Sequence, residues 1–340
     1  MNATIQLHEL PLPGLREDNP RDFLAALGLI RLMAAISNDG DILLSWSPDG
    51  YPSLHLPVNI EEKWSMLLVD LIQEVVLGDD LKEDDRRVHQ QWLNEEFSSS
   101  SQKFIRNGTH INSLIFGAVP SVGVRNIRKA FQNGLSIADG PRRNLIVSLL
   151  CGLVSQVHEN IPKDKNPRGN ISLFSFANKQ GQKYLLFGLQ EAVRRSLNFT
   201  NLLRDNPEKV ENQTFRWSPD EYRPSAYLGG VNNYKDAVES NVAAFFGMSF
   251  FPVVDKGDSD RTTGFSKDRK RTNQDNRFTW PIWETPLDVN SIFSLIHMPF
   301  LHQDVSPGRA VKAIGCLRVW RCRRFSADKS LYFSPAELLH

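Results

Sequence analysis

Apolar and polar positions in the first part of the chain follow two different spacings. In Thr4–Leu10 apolar residues alternate with polar ones, which predicts a strand. From Pro20 to about Ser37 apolar residues recur at helical spacing, and Asn19 and Pro20 take the N-cap and first-turn positions that a helix favours. This part of the chain is therefore predicted to form a strand followed by an apolar helix.

A hairpin and three helices are predicted next. Ile42–Trp46 and Leu54–Leu56 are short apolar runs on either side of a Ser-Pro-Asp-Gly turn. Two acidic helices are predicted near Asn59–Leu77 and Leu81–Glu96. The most apolar helix of the chain is predicted at Pro141–His158.

The second half of the chain mixes predicted strands and helices with a long polar loop, Asp255–Asn276. The elements predicted around this loop are a strand at Ile171–Phe176, a helix at Gly188–Phe199, a strand–turn–strand at Thr214–Leu228, a helix at Asp236–Met248, a strand at Phe278–Glu284, a helix at Val289–Ile296, and a closing hairpin of Val311–Phe325 and Ser330–Phe333. Together these elements predict an α+β fold with mixed helices and mostly antiparallel strands and hairpins.

A polar connector, Pro162–Asn170, predicts a boundary between two regions. The N-terminal region, 1–161, contains the acidic helices. The C-terminal region, 171–340, contains the basic loop and the closing hairpin. The alternative is one intimate domain.

Composition is that of an ordinary globular protein. The chain has 340 residues, of which 41% are hydrophobic and 23% charged, a length and balance that allow a large buried core. Its longest apolar runs are far shorter than the ~20 residues that cross a bilayer, and its N-terminus lacks the pattern of a signal peptide. Three cysteines are too few for a disulfide framework and are expected to stay reduced. We therefore expect a cytoplasmic protein with no membrane partner.

The formal net charge of +1 conceals an uneven distribution of charge. Glu61–Glu96 contains eleven acidic and four basic residues. Three segments are basic: Arg125–Arg143 has five basic residues and one acidic, Arg261–Arg277 has six and two, and Arg309–Lys329 has seven and one. This separation is typical of a protein with one side facing a polyanion, although solvated surfaces would show the same composition.

Motifs for catalysis, metal binding and cofactor binding are absent from the sequence. Cys316 and Cys322 lack the further soft ligands that zinc needs, and no glycine-rich phosphate loop or nucleophile elbow occurs. Pro219 and Asp220 could begin a metal-dependent nuclease motif, but the acidic-x-Lys segment that should follow is missing. We therefore expect no catalytic residues, no metal and no cofactor.

The basic segments supply the candidate DNA-binding residues. Arginine and lysine neutralise phosphates, while arginine, asparagine and glutamine also hydrogen-bond base edges. The predicted DNA-binding residues are Arg125, Arg128 and Lys129 on a short helix; Arg261, Lys267, Arg269, Lys270, Arg271, Asn273, Gln274 and Arg277 in the long loop; and Arg318, Arg321, Arg323 and Arg324 in the closing hairpin.

The arginine-rich strand predicts two faces. Strand alternation places Arg321 and Arg323 on one face, and Arg318, Cys322 and Arg324 on the other with Trp320. One arginine row could therefore lie along a nucleic-acid backbone. The alternative is an edge strand that its charges keep soluble.

Three blocks of sequence, spread over most of the chain, form a recognisable series. The first contains Leu12-Pro13-Gly14-Leu15, Asp18-Asn19-Pro20 and Phe23–Arg31; the second contains Phe215–Pro219, Asn241–Gly247 and Phe250-Phe251-Pro252; the third contains Phe278–Leu287, the arginine-rich strand and Tyr332–Glu337. In this order the blocks resemble proteins encoded in type I-G (formerly I-U) CRISPR operons.

The resemblance implies the large, DNA-facing subunit of a Cascade-type surveillance complex, with the irregular architecture of such subunits. A protein of this kind is not an enzyme. It binds target double-stranded DNA, contacts the protospacer-adjacent motif and assists R-loop formation. The implied partners are the Cascade subunits that carry the CRISPR RNA and a helicase-nuclease recruited in trans. Many large subunits end in a helical bundle, so the predicted closing hairpin leaves an accessory protein of the operon as the alternative within this class.

Two other functional classes stay open from the residues alone. One is a metal-dependent nuclease of a defence system, whose cleavage would depend on Asp220 or Glu221. The other is a protein-binding scaffold that uses the acidic helices and makes no DNA contact.

Overall fold

Short helices and antiparallel strands alternate along the chain in the computed structural model. The structure describes residues 7–37, 41–77, 140–153, 172–174, Leu189, 192–193, 197–211, Phe215, 217–219, 235–256, 259–267, 276–303, 308–327 and 330–340. The elements up to residue 211 are β1 (Leu7–Pro11), α1 (Pro20–Ile36), β2 (Leu43–Trp46), β3 (Pro52–Pro57), α2 (Val58–Glu61), α3 (Trp64–Leu77), α4 (Gly140–Leu153), a 3₁₀ helix (Phe199–Leu203) and β4 (Val210–Glu211).

The second half of the chain contributes most of the strands. Its elements are β5 (Lys235–Asp236), α5 (Val238–Gly247), a 3₁₀ helix (Met248–Phe250), β6 (Val253–Lys256), β7 (Ser259–Thr262), β8 (Phe265–Lys267), β9 (Asn276–Trp283), α6 (Val289–Ile296), a 3₁₀ helix (Pro299–His302), α7 (Gly308–Ala313), β10 (Cys316–Ala327), β11 (Ser330–Phe333) and β12 (Glu337–Leu338). The helices and antiparallel sheets confirm the predicted α+β class. None of the described helices is long and apolar enough to span a membrane.

Helix α1 runs through the centre of the core. Its residues are almost all buried, on every side of the helix and not only on the apolar face that the spacing predicted. The Asn19 side chain accepts a hydrogen bond from the Arg21 amide, so the predicted N-cap is confirmed. The helix packs on α5, and glycines allow close contact: a Cβ atom on Gly28 would lie 1.7 Å from the carbonyl oxygen of Ala243, and one on Gly247 would lie 2.0 Å from that of Leu24.

Two antiparallel sheets flank this helical core. The smaller has the strand order β1-β3-β2. The larger, which we call the C-terminal sheet, has the order β11-β10-β9-β8, and β12 also pairs with β10. The remaining described strands form two short hairpin pairs, β4 with β5 and β6 with β7.

Aromatic residues of both predicted regions share one core. The ring of Phe23 lies 5.8 Å from that of Trp280 and 6.1 Å from that of Trp46. The Trp280 indole donates a hydrogen bond to the Glu17 carbonyl, and the Trp283 indole donates one to the Leu44 carbonyl. The N-terminal turn and the β2–β3 hairpin are therefore held directly against β9.

Several predicted elements are wrong in the described part of the chain. Ser172–Phe174 forms a turn, not a strand, and Phe215 and Trp217–Pro219 are also outside any strand. Their apolar side chains pack from irregular backbone: Phe174 is fully buried among aromatic rings. The acidic helix Asn59–Leu77 is divided into α2 and α3. The predicted helix Leu81–Glu96 and the predicted short helix with Arg125, Arg128 and Lys129 lie outside the described residues.

The predicted long loop, Asp255–Asn276, is the most informative correction. It contains the end of β6, all of β7 and β8, and the first residue of β9. The polar composition did not indicate these strands, because they gain their order from pairing with β6 and β9. Residues 268–275 lie outside the described part.

Candidate nucleic-acid interface

Two of the three basic segments lie beside each other in the C-terminal sheet. Arg323 on β10 is directly opposite Arg277 on β9, and Arg324 is opposite Asn276. On the other side of β9, Lys267 of β8 pairs with Asn276. Basic residues that are distant in the sequence therefore lie at one end of one sheet.

The register assigns side chains to two faces of this sheet. The inner face contains Phe278 and Trp280 of β9, opposite Cys322 and Trp320 of β10, and packs on the aromatic core. The outer face contains Arg277 and Thr279 of β9, opposite Arg323 and Arg321 of β10. The two arginine rows predicted for this strand therefore lie on opposite faces of the sheet.

At one end of the outer face, which we call the open end, two arginines face each other across strands. Arg323 is exposed and Arg277 is partly exposed. Like charges directly opposite each other destabilise a sheet unless an anionic group neutralises them. The backbone of Arg323 is held firmly: its N–H donates to the Ser334 hydroxyl, and its carbonyl accepts from the Ser334 N–H.

The other end of the outer face, which we call the covered end, has its arginine buried. Arg321 is 4% exposed. Its guanidinium donates to the Thr279 hydroxyl at 2.9 Å and to the Gln303 carbonyl at 2.7 Å. Arg321 therefore ties β10 to the segment after the 3₁₀ helix Pro299–His302, and in this fold it is not placed to contact DNA.

Two histidines also lie near the covered end. The His302 ring donates to the Ile296 carbonyl, and the His297 ring bonds the Thr263 hydroxyl and the Phe293 carbonyl. Burial lowers the pKa of both, and Arg321 lowers that of His302 further. Both rings therefore favour the neutral form.

Arg318, on the inner face, also has partners within the chain. It forms an ion pair with Glu17 at 2.8 Å and donates to the Pro48 carbonyl at 3.0 Å. Burial raises the pKa of Glu17 although the Arg318 charge opposes the shift. Arg318 therefore fastens the N-terminal turn and the β2–β3 turn to β10, and it lies on the opposite face of the sheet from Arg321 and Arg323.

Arg324, at the end of the inner row, is half-buried. Burial lowers its pKa to about 10. The guanidinium is still charged at neutral pH, so Arg324 adds positive potential beneath the open end without facing it.

The other predicted DNA-binding residues are only partly described. Arg261 lies on β7 and Lys267 on β8, rather than in a loop. Arg125, Arg128, Lys129, Arg269, Lys270, Arg271, Asn273 and Gln274 lie outside the described residues. Because Lys267 and Asn276 are paired, the basic residues between them connect two hydrogen-bonded strands.

Partly exposed Phe325 is a residue that the sequence prediction did not include. It follows Arg323 on the outer face and lies opposite Tyr332 of β11, with 6.0 Å between the ring centroids. The signal available in the sequence was the alternation Arg321, Arg323, Phe325 along one strand face.

Within the described parts of the chain, no group of three or more His, Cys, Asp and Glu side chains is placed to hold a metal ion. All three cysteines are free thiols, and Cys316 and Cys322 are buried. Burial raises the pKa of Cys316 to about 11 and that of Cys322 still more strongly. These thiols are therefore core residues in a protonated state.

Comparison with known proteins adds no identification. No protein-family model and no curated protein matches this chain.

Proposed function

We propose that this protein is a non-catalytic, DNA-binding subunit of an RNA-guided CRISPR surveillance complex of the Cascade type. In this role it works in the cytoplasm with the subunits that carry the CRISPR RNA. It contacts the protospacer-adjacent motif in double-stranded DNA, assists R-loop formation and leaves cutting to a helicase-nuclease recruited in trans.

The observation that carries the proposal is the meeting of two basic segments at one end of the C-terminal sheet. Arg277, Arg323 and the backbone of Lys267 lie on three neighbouring strands there. The connection from Lys267 to Asn276 adds three consecutive basic residues, Arg269-Lys270-Arg271, with Asn273 and Gln274 as potential readers of base edges. A concentration of this kind suits a phosphate backbone.

Contacts among the resembling blocks support the same proposal. Asn19 of the first block donates a hydrogen bond to the Ser218 hydroxyl of the second at 3.0 Å. Glu17, beside the first block, accepts from Trp280 and Arg318 of the third. Residues that carry the resemblance therefore build one shared core, as expected if the resemblance reflects a common fold.

The test is assembly and DNA binding in the complex. The chain is co-expressed with the CRISPR RNA and the subunits encoded beside it, and the purified complex is titrated with target duplex at several salt concentrations. We expect co-purification, and we expect Arg269→Ala/Lys270→Ala/Arg271→Ala to weaken binding and to reduce the salt slope by roughly 0.9 for each phosphate that is no longer neutralised.

The matched control is Arg204→Ala, which removes an exposed arginine from the end of the 3₁₀ helix Phe199–Leu203. This variant should leave the affinity for DNA and the salt slope unchanged. Failure to co-purify, or DNA binding that the triple variant does not alter, would contradict the proposal. Metal-dependent cleavage that Asp220→Asn abolishes would instead establish the nuclease alternative.

A further inference from the structure

We infer that Ser45 is a site of covalent acylation, at which a small activated ester transfers its acyl group to the serine hydroxyl. His55 takes the hydroxyl proton, Ser53 donates to the ester carbonyl oxygen, and Glu9 positions the His55 ring. All four residues belong to the three-stranded sheet β1-β3-β2 and none to the C-terminal sheet. Acylation of Ser45 is separate from the proposed function, because it needs neither DNA nor other subunits.

Strand pairing places these four residues on one face of the three-stranded sheet. Glu9 of β1 lies directly opposite His55 of β3, and Ser45 of β2 lies directly opposite Ser53 of β3. Ser53 and His55 are two positions apart on one strand, so their side chains point to the same face. Because β3 is the middle strand, Glu9 and Ser45 flank the His55 ring from opposite sides.

A hydrogen bond joins Ser45 and His55. The Ser45 Oγ lies 2.8 Å from the His55 Nε2, a distance at which histidine takes the proton of a nucleophile. We assign the proton of the neutral ring to Nδ1, because a carboxylate on the opposite side of the ring from Ser45 favours that tautomer. The Ser45 hydroxyl therefore donates to Nε2, and its proton already points at a base.

The charge state of His55 suits a general base at neutral pH. Burial lowers the pKa of His55, and the negative charge of Glu9 opposes this shift. The ring is therefore mostly neutral at pH 7, and its Nε2 lone pair is available to accept the proton. The same Glu9 charge stabilises the imidazolium that forms once the proton has been transferred.

The hydroxyl of Ser53 is a second polar group beside Ser45. Ser53 is 1% exposed, and its Oγ has no hydrogen-bond partner among the described residues. A buried hydroxyl without a partner costs free energy, and directly opposite residues of an antiparallel pair have Cβ atoms about 5 Å apart. Ser53 is therefore close enough to donate to the carbonyl oxygen of an acyl group on Ser45, where negative charge develops during transfer.

The transfer needs only these groups and the ester. As the Ser45 Oγ bonds to the carbonyl carbon of the ester, the hydroxyl proton passes to the His55 Nε2. The bond from that carbon to the leaving oxygen then breaks, and the leaving oxygen takes the proton from Nε2. Ser45 ends as an ester, His55 as a neutral ring, and the leaving group as a free alcohol or phenol.

The surroundings of Ser45 restrict the acyl group and the extent of reaction. Ser45 is 6% exposed, so we expect a small acyl group such as acetyl to be accepted and a bulky one to be excluded. Each acylation consumes the hydroxyl. The chain is therefore modified once and does not turn over the ester, in keeping with a non-catalytic subunit.

The test uses the full chain and p-nitrophenyl acetate as the acyl donor. We expect rapid release of p-nitrophenolate, and peptide mass spectrometry should find an acetyl group on Ser45. Ser45→Ala should abolish acetylation of this peptide. His55→Gln should slow the reaction roughly a hundredfold or more, and Ser53→Ala should slow it roughly a hundredfold.

The role of Glu9 is tested through the pH dependence of the rate. Acetylation of Ser45 needs neutral His55, so its rate should rise with pH and level off above the pKa of the ring. Since the Glu9 charge raises that pKa, Glu9→Gln should move the midpoint of the rate profile to lower pH. A Glu9 that only stabilised the fold would leave the midpoint unchanged.

Three controls separate reactivity from folding. Ser294→Ala removes an exposed hydroxyl whose partner is the Asn290 carbonyl, and this variant should be acetylated on Ser45 as the original chain is. The original chain in concentrated denaturant should lose the reaction, because the Ser45–His55 contact depends on strand pairing. The midpoint of thermal unfolding shows whether each variant has folded.

The original chain alone is enough to decide against the site. Acetyl groups on lysines but not on Ser45 would overturn the inference, whether or not any variant folds. Acetylation of Ser45 that a folded His55→Gln variant leaves unchanged, or that the denatured chain retains, would overturn it too. Co-purification with the Cascade subunits and DNA binding are measured separately, so this site can fail while the proposed function stands, and the reverse.

Discussion

The two ends of the outer face of the C-terminal sheet contain the same residue type in opposite situations. At the covered end Arg321 is buried and donates to Thr279 and Gln303. At the open end, two residues further along the same strand face, Arg323 is exposed and faces Arg277. Arginines of one basic segment can therefore either stabilise the fold from a buried position or face solvent. Packing by the segment around residues 297–303 decides between these two positions.

A substitution in helix α1, beneath both ends of the sheet, should have the largest effect on the free energy of unfolding. Gly28→Ala would place a Cβ atom 1.7 Å from the Ala243 carbonyl oxygen, so α1 and α5 would have to separate. We expect the free energy of unfolding to fall by about 3 kcal/mol, measured by chemical denaturation. This loss would reach the covered and open ends alike, because Phe23 of the same helix packs under β9.

The matched control is Gly315→Ala, just before β10. Gly315 has φ of 76°, but no atom lies within 4 Å of the position that a Cβ atom would take. Only backbone strain applies there, so we expect a loss of about 1 kcal/mol. Equal losses in the two variants would show that the helix crossing is less tightly packed than described.

The direct comparison of the two ends comes next. Arg321→Met should lower the free energy of unfolding by about 2 kcal/mol, because the Gln303 carbonyl and the buried Thr279 hydroxyl lose a charged donor. Arg323→Met should change it by no more than about 0.5 kcal/mol, as an exposed substitution does. Denaturant titrations of the two variants measure both values, and the comparison would be broken if the order were reversed.

Acid should weaken the covered end selectively. The pKa values of His297 and His302 are lowered by burial, so their contribution to stability is complete above about pH 6.5 and is lost as pH falls through the folded-state pKa values. We expect the free energy of unfolding to decrease between pH 7 and pH 5. His297→Gln/His302→Gln should make that decrease smaller.

His55 provides the control for the pH prediction. Its pKa is also lowered by burial, but it lies on β3 and bonds Ser45. His55→Gln should therefore remove a separate share of the pH dependence. If the double variant kept the full decrease, the covered end would not be the source of the acid sensitivity.

The smallest effect is expected from chemical modification of the cysteines in the original chain. The thiol of half-buried Cys151 is more accessible than those of Cys316 and Cys322, which are buried on β10. Because the thiolate is the reactive form and burial raises all three pKa values, a thiol reagent should modify Cys151 slowly and the other two only on opening of the sheet. Rapid modification of Cys322 would show that β10 is not held as described.

Local sequence signals predicted the elements that are stabilised mainly by their own pattern. The helix that begins at Pro20, the β2–β3 hairpin and the helix Val289–Ile296 were predicted almost to the residue, because N-caps, turns and apolar spacing act over short distances. The strands β7 and β8 were missed for the opposite reason. Their residues are mostly polar, and their order depends on pairing with β6 and β9 rather than on an apolar pattern of their own.

In the candidate site too, local sequence signals did not distinguish the arginines that have partners within the chain from those that face solvent. Charge alone selected Arg277, Arg318, Arg321 and Arg323 as equivalent. The pairing of Glu17 with Arg318, across 301 positions of sequence, could not be read from either segment by itself. No short-range pattern distinguishes an arginine that fastens two turns together from one that faces solvent.

By itself, the sequence determined the α+β class, the helix that begins at Pro20 and the alternation of side chains along β10, since these follow from local spacing and backbone geometry. Only the tertiary structure decided which arginines are buried, because burial depends on what packs across each face. Strand pairing placed Arg277 opposite Arg323. Packing gave Arg318 the partner Glu17, and it gave Arg321 the partners Thr279 and Gln303.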